Sequence, residues 1–244
     1  MLATGHAALD LELPGGGWPV GALCEILQTH AAQSEWRLLL PALVAAQQAA
    51  KPMTLPGQAG LAHAATVVLI APPHAPFGPS LAAQGLAVQH LVWVKAHTPA
   101  ERLWATEQAL RCAAVAAVLA WLPQVQSAAL RRLHLAAQEH SKLLFVMRPA
   151  QAQRESSPAP LRLILLGAQG VAQTSGQAAA KAHGQSDEQM HVQTEGRSHE
   201  HSNLQVPTAL HLQLLKRRGP PLTQALVVQP QRITNHGALD RVAA

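Results

Sequence analysis

The sequence predicts an α/β domain with a mostly parallel, twisted sheet, helices on both faces and antiparallel strands at its C-terminal edge. Short runs rich in Val, Leu and Ile alternate with segments whose apolar residues recur at helical spacing, which is the order that gives parallel strands joined by helices. The runs are also continuously apolar, which is typical of strands covered on both faces. The 244 residues are enough for a single domain, spanning 1–244, with a buried core.

Five apolar runs are predicted to form the parallel strands. They lie at 22–27, 66–71, 90–96, 113–122 and 142–148, and Pro149 ends the last of them. The run at 113–122 contains so many alanines that a helix fits it equally well.

Three segments between these runs have helical spacing. They lie at 35–50, from the cap Thr98 to about 111, and from the cap Ser127 to 140. Thr98 and Glu101 have the spacing of a capping box, and Pro99 suits the first helical position. Pro41 lies inside the first helix, where it removes a hydrogen bond and clashes one turn back. A kink or a later start of that helix is therefore predicted.

The pattern changes after Pro149. Runs at 161–166, 210–215 and 224–229 are predicted to be antiparallel strands that close one end of the sheet, with 210–215 as an edge that has one solvated face. Residues 167–206 are rich in Gln, Gly, Ala, Ser and His, and this composition predicts a flexible inserted loop. Residues 230–244 are predicted to be a C-terminal tail.

Charge and cysteine content narrow the class of protein. The formal charge of +5 and the pI near 9.9 favour an acidic partner, either nucleic acid or an acidic protein surface. Only 13% of the residues are charged, so the basicity is equally typical of a solvated surface. Cys24 and Cys112 form neither a disulfide framework nor a C-x-x-C motif. No signal peptide or membrane-spanning run is recognisable, and a reducing cytoplasm is the predicted location.

The N-terminal segment carries the strongest motif. It reads TGHAALDLELPGGGWPVGALCEIL from Thr4 to Leu27, and it ends in a short apolar strand that contains Glu25. Its glycines and prolines would also suit a surface turn. The whole order, however, is the one that leads into the phosphate-binding loop of RecA-like ATPases.

The loop itself is predicted to be degenerate. A G-x-x-x-x-G-K-[ST] loop needs glycines so that backbone amides can approach phosphate, and a lysine for the β and γ phosphates. Neither glycine nor lysine occurs at the corresponding positions, which are Gln28, Thr29, His30, Ala31, Ala32, Gln33 and Ser34.

Other catalytic and metal motifs are not found in the sequence. There is no G-x-S-x-G elbow, no H-E-x-x-H and no carboxylate pair on apolar flanks. The histidines of the 167–206 segment lack the preorganised surroundings that metal binding needs. His74 follows the second strand, where ligands often bind in α/β sheets, but a lone histidine there is more often structural. No catalytic residue, cofactor or metal is therefore predicted.

Two basic clusters are candidate binding residues. Lys216, Arg217 and Arg218 close a strand, where they would either contact phosphate or protect an edge from pairing. Arg131 and Arg132 add basic surface on a helix, or are simply solvated. Since no aromatic residue accompanies the first cluster to stack a base, a protein partner is preferred there to DNA.

Taken together, the chain resembles the ImuA family, RecA-like proteins associated with SOS-induced translesion DNA synthesis and related to the SulA cell-division inhibitors. The strings that carry the resemblance are LDLELPGGGWPVGALCEIL, EWRLLLPALVAA, VVLIAPPHAPFGPSLAAQGL, LVWVKAHTPAERLWATEQAL, CAAVAAVLAWLPQ, LRRLHLAAQE and LHLQLLKRRGPP. They cover nearly everything except 167–206 and the residues after 230. LPGGGWP and LKRRGP are the most specific of them.

The resemblance implies a RecA-like core that has lost its catalytic elements. Active RecA-like ATPases place an acidic residue before a histidine after the second strand, whereas here Pro73 precedes His74. Their fourth strand ends in an aspartate for the metal, whereas this chain reads V-L-A-W-L-P. With the degenerate phosphate loop, three elements are absent together, which implies a protein that is not an enzyme.

The resemblance also implies the partners. It suggests an accessory protein that works with an ImuB-type polymerase-like protein and an error-prone polymerase after DNA damage, with RecA and DNA as further candidates and no membrane. Two alternatives stay open: a SulA-like inhibitor that binds the division protein FtsZ, and a divergent nucleotide-binding enzyme that binds phosphate elsewhere.

Overall fold

The computed structural model describes residues 1–29, 34–49, 65–166, 209–219 and 224–229. These residues form an eight-stranded sheet in the order β3-β2-β4-β5-β1-β6-β7-β8. The strands are β1 (Ala22–Gln28), β2 (Thr66–Ile70), β3 (Leu91–Val94), β4 (Val115–Trp121), β5 (Leu143–Pro149), β6 (Leu161–Leu166), β7 (Leu210–Lys216) and β8 (Leu226–Val228). The helices are α1 (Ala7–Glu12), α2 (Glu35–Gln48), α3 (Gly78–Ala83), α4 (Pro99–Arg111) and α5 (Ser127–Glu139).

The predicted α/β class is confirmed. In the sheet order, the first six strands (β3, β2, β4, β5, β1 and β6) are mutually parallel. β7 pairs antiparallel with β6, and β8 pairs antiparallel with β7. This arrangement is the one expected of a RecA-like core. The alanine-rich run at 113–122 is a strand, because it lies buried between two others and its small side chains pack under helices on both faces.

One predicted strand direction was only partly right. The run at 161–166 was expected to be antiparallel: β6 pairs antiparallel with β7, as predicted, but parallel with β1, with Cys24 opposite Leu161 and Gln28 opposite Leu165. A return of the chain along 150–160 carries it back to the starting edge of the sheet before β6 begins. The run at 210–215 alternates in burial as predicted, but it is second from the edge, because β8 pairs outside it.

Helices cover both faces of the sheet, as predicted. On one face α1, α2 and α3 pack over β-strand side chains such as Leu119 and Phe145. On the other face α4 and α5 pack over their sequence neighbours, Val118 and Leu144. Successive strand residues point to opposite faces, so both sets are buried, and this explains why the runs are continuously apolar. Cys24 is buried in the first cluster, and burial raises the pKa of its thiol.

Local signals placed the helix ends closely. Thr98 and Glu101 form the predicted capping box, and hydrogen bonds from the backbone of Thr98 and His97 lower the pKa of the Glu101 carboxyl. α2 begins at Glu35 and continues through Pro41, so it does not start late. Ser127 does not cap α5, because Gln126 occupies the cap position and Ser127 is the first helical residue.

The predicted insertion at 167–206 and the tail at 230–244 lie outside the described residues. None of the helices in the described ranges is long and apolar enough to cross a membrane.

Candidate functional site

The carboxyl ends of the parallel strands meet at one edge of the sheet and line a cavity of about 540 Å³. We call it the carboxyl-edge cavity. Gln28 contributes to it from β1, Trp121 from β4, Met147 and Arg148 from β5, and Ala71 from the position that follows β2. Ligands of open α/β sheets bind at this edge, so this is where a nucleotide would lie in an active relative of the fold.

The degenerate phosphate loop is only partly described. Gln28 is buried at the end of β1, Thr29 is exposed, and Ser34 caps α2 in position but makes no side-chain capping hydrogen bond. His30, Ala31, Ala32 and Gln33 lie outside the described residues.

Glu35 was missed by the sequence reasoning, and it closes this loop. Its side chain is buried, and Oε2 accepts hydrogen bonds from Gln28 Nε2 at 2.8 Å and from the Ser34 amide at 3.2 Å. Its other oxygen, Oε1, is buried without a partner among the described residues. The first turn of α2 therefore already holds a negative charge, where the helix dipole favours one. A carboxylate immediately after the loop was the available signal.

Active RecA-like ATPases have acidic residues after the second strand and at the end of the fourth. Apolar residues occupy both of these positions here. Pro73 is exposed beyond the end of β2, and β4 ends at Trp121, followed by Leu122 and Pro123. Pro73, Trp121 and Pro123 all line the carboxyl-edge cavity. His74 is exposed and is not among the residues that line the cavity.

Cations face the carboxyl-edge cavity instead. Lys95, Arg102 and Arg148 line it together with His97, and no described lining residue carries a carboxylate. Lys95 Nζ lies 4.9 Å from the centre of the Trp93 ring, and Arg102 donates from Nε to the Ala96 carbonyl at 3.2 Å. Such a wall attracts an anion but offers no carboxylate to activate water or to hold magnesium.

A buried ion network lies beneath the cavity. Glu25 accepts from Arg148 Nη1 at 2.8 Å and from Arg162 Nε at 2.7 Å, and all three side chains are buried. Arg148 Nη2 also pairs with Glu155 at 2.5 Å, and Arg162 Nη2 donates to the Ala152 carbonyl at 2.8 Å. The network therefore ties β1 to β5, β6 and the segment after β5. A charged residue inside an apolar strand was its sequence signal.

The basic cluster at the end of β7 is only partly exposed. Lys216 Nζ donates to the Ser157 carbonyl at 3.0 Å, and Arg218 is exposed. Arg217 is mostly buried, and it donates from Nη1 to the Glu12 carbonyl and to Glu12 Oε2, the latter at 2.8 Å. Arg217 is therefore a structural tie to α1 and not an exposed binding residue.

Arg131 and Arg132 are both exposed on α5. Arg132 Nη2 pairs with Glu107 Oε2 at 2.7 Å, and Arg111 pairs with the other oxygen of the same carboxylate at 2.6 Å. Neither arginine is among the residues that line the concavity beside the β7 cluster.

The β7 cluster lines a second concavity, of about 590 Å³, at the opposite edge of the sheet. We call it the amino-edge groove, because the starts of β1 and β6 form its floor through Ala22 and Leu161. Lys216, Arg217 and Arg218 lie on its rim beside the LPGGGWP turn.

His134 also lines the amino-edge groove and gives the fold a predicted pH dependence. Its Nδ1 accepts the Leu23 amide proton at 3.1 Å, and burial lowers its pKa. The pKa of His134 in the folded chain is thus below its unfolded value of about 6.5.

As the pH falls through about 6.5, the unfolded chain therefore binds more protons than the folded chain. The contribution of His134 to stability is fully present above about pH 6.5 and decreases below it. We expect His134→Gln to flatten this decrease in urea titrations at a series of pH values, and equal slopes would contradict the assignment.

The described residues contain no group of three His, Cys, Asp or Glu side chains that could hold a metal ion. His183, His191, His199 and His201 lie outside the part of the chain that the structure describes. In comparisons with known proteins, no family model matches the chain, and no curated protein matches it. The resemblance to the ImuA family therefore rests on the sequence strings given above.

Proposed function

We propose that this protein is a non-catalytic RecA-like accessory protein of SOS-induced, error-prone translesion DNA synthesis. It acts in the cytoplasm through contacts with an ImuB-type polymerase-like partner and an error-prone polymerase, and RecA and DNA are further partners. The ImuA resemblance supports the pathway. The chemistry of the carboxyl edge supports the non-catalytic role.

The observation that carries the proposal is the position of Glu35. Its carboxylate takes hydrogen bonds from Gln28 and the Ser34 amide at the start of α2. A phosphate-binding loop uses such amides and a lysine to hold the nucleotide. A nucleotide phosphate brought to this point would meet a negative charge instead of a lysine, and it would have to displace an internal hydrogen-bonded anion.

The second support is the character of the carboxyl-edge cavity. Phosphoryl transfer to water depends on a positioned acid or amide to orient the water and on carboxylates that hold magnesium. The described lining offers no carboxylate for magnesium, and its one side-chain amide, that of Gln28, is hydrogen-bonded to Glu35. A nucleotide attracted by the cations would therefore be bound without being hydrolysed.

We expect purified protein to show no ATP turnover above a no-protein blank, with or without magnesium. The Glu35→Gln variant keeps the shape of the side chain and removes its charge, and it should remain inactive because the missing acids are not restored. The measurement is steady-state phosphate release, with an active RecA-like ATPase as positive control. Binding is followed separately with a fluorescent ATP analogue.

Turnover by the wild-type chain would contradict the proposal and favour the divergent nucleotide-binding enzyme. Turnover is attributed to this protein only if it changes in the Glu35→Gln or Lys95→Ala variant, because a contaminating ATPase would respond to neither substitution. Lys95 is chosen because it is exposed on the cavity wall and belongs to no described ion pair. Nucleotide binding without turnover is compatible with the proposal.

A further inference from the structure

The two most specific strings of the sequence, LPGGGWP and LKRRGP, are some two hundred residues apart, yet both line the amino-edge groove. Leu13, Pro14, Gly17 and Pro19 of the first string lie there with the three cations of the second. β7 runs antiparallel to β6, so its last residue, Lys216, comes back to the edge where β6 starts. The groove lies at the other end of the sheet from the carboxyl-edge cavity. Binding of a nucleotide at the carboxyl edge therefore does not explain why these two strings lie together.

The wall formed by LPGGGWP is rigid. Gly15 and Gly16 have positive φ values of 80° and 71°, which side chains rarely adopt. A Cβ on Gly17 would lie 2.2 Å from the Leu2 carbonyl oxygen, because Leu2 and Trp18 pair as a β-bridge. Trp18 is fully buried behind the wall. Little conformational entropy would therefore be lost when this surface binds a ligand.

The opposite wall is held by internal hydrogen bonds. Arg217 is tied to Glu12, and Lys216 is tied to the Ser157 carbonyl beside Pro158 and Pro160. Arg218 stays exposed on the rim. The cluster is thus fixed in place with one cation projecting into solvent, and Lys216 keeps further donor capacity.

The lining has a distinct chemistry. Its floor and walls are mainly proline and aliphatic, including Val20, which is 41% exposed. Its rim carries three cations, and no carboxylate and no Phe, Tyr or Trp ring is found among the described lining residues, whose one ring is the His134 imidazole. Single-stranded nucleic acid is held by basic grooves that also stack bases on aromatic rings. The only ring among the described lining residues, the His134 imidazole, is partly buried and hydrogen-bonded to the Leu23 amide. An apolar floor with a cationic rim instead complements a peptide with apolar and acidic side chains.

We propose that the amino-edge groove binds an extended segment of a partner protein in which acidic residues flank apolar side chains. The apolar side chains lie against Val20 and the proline walls, and the acidic residues pair with Arg218 and Lys216. The inference rests on the proposed function in assigning this surface to a protein partner, but it names no polymerase and needs none for its test.

The test selects peptides from a displayed random library against the full chain and measures the affinity of the enriched peptides by fluorescence anisotropy. We expect enrichment of Asp or Glu beside Leu, Ile, Val or Phe. Arg218→Glu and Val20→Asp should each weaken binding by about tenfold or more, since each places a negative charge against the acidic peptide. Affinity should also fall with salt.

The matched control is Arg154→Glu, which reverses an exposed cation on the turn after β5, outside the groove. It should leave peptide affinity unchanged, and thermal unfolding should show that all three variants are folded. Enriched peptides without acidic residues, or equal affinity in all variants, would overturn the proposal. Binding of an oligothymidine that Arg218→Glu abolishes, with no peptide enrichment, would assign the groove to nucleic acid instead.

Co-purification with an ImuB-type partner separates this inference from the proposed function. If peptides bind as expected but the partner is captured equally by wild type and Val20→Asp, the groove serves another protein and the proposed partner contact lies elsewhere. If no peptide binds but the partner is captured, the groove inference fails and the proposed function stands.

Discussion

Replacing Glu25 with alanine is expected to destabilise the folded chain by about 3–5 kcal/mol, which is a large share of the stability of an ordinary domain. Glu25 is fully buried, and it accepts from Arg148 at 2.8 Å and Arg162 at 2.7 Å. Without it, two buried guanidinium groups keep their charge and lose their main partner. Urea denaturation followed by circular dichroism measures the loss.

Glu107 provides the matched control for Glu25. It also bridges two arginines, Arg111 at 2.6 Å and Arg132 at 2.7 Å, but both of those arginine side chains are more than half exposed. Solvated ion pairs contribute little, so Glu107→Ala should cost no more than about 1 kcal/mol. Equal losses for Glu25→Ala and Glu107→Ala would show that the buried network is not what holds β1 to its neighbours.

Much of the fold could be predicted because its signals are local. The capping box at Thr98 and Glu101 needs only four adjacent residues, and it was placed correctly. The parallel strands from β1 to β5 follow from apolar runs that are long enough to be buried on both faces. The later start predicted for α2 was wrong, because a helix packed against a core can retain a proline that would break an isolated helix.

What the sequence did not predict depends on pairing between distant segments. The direction of β6 is set by where the chain returns after β5, and no local pattern records it. Glu25, Arg148 and Arg162 meet only because the register places Glu25 opposite Arg162 and opposite Val146, two residues before Arg148 on the same face of the sheet. The sequence showed each charge but not its partner.

The candidate sites also divide into those with a local sequence signal and those formed by distant segments. The degenerate phosphate loop was visible in the sequence because an intact loop has fixed spacing. The role of Glu35 was not, because its carboxylate turns back to Gln28, and a helix-starting glutamate ordinarily points to solvent. The amino-edge groove could not be predicted from the sequence, and neither could the ion network, because each is formed by segments that are distant in the sequence. LPGGGWP and LKRRGP come together only through the order of the strands in the sheet.

Replacing Trp18 with alanine is expected to cost about 3–5 kcal/mol, because it opens a cavity in a core that has few other aromatic rings to fill it. Trp18 is fully buried, and its ring meets Phe145 edge to face at a centroid distance of 5.1 Å. Its indole Nε1 has no partner among the described residues. Trp18→Phe should therefore lose much less stability, since it keeps an aromatic ring and removes a buried donor rather than a hydrogen bond.

The control for Trp18 is Trp104→Ala on α4, where the tryptophan is 66% exposed and the change should stay within about 0.5 kcal/mol. Thermal and urea unfolding of the three variants give the comparison. Because Trp18 supports the LPGGGWP wall, Trp18→Ala should also weaken peptide binding to the amino-edge groove at temperatures where it is still folded, whereas Trp104→Ala should not. Equal stability of Trp18→Ala and Trp104→Ala would mean that the turn does not depend on its buried ring, and the rigidity assigned to the groove wall would then be wrong.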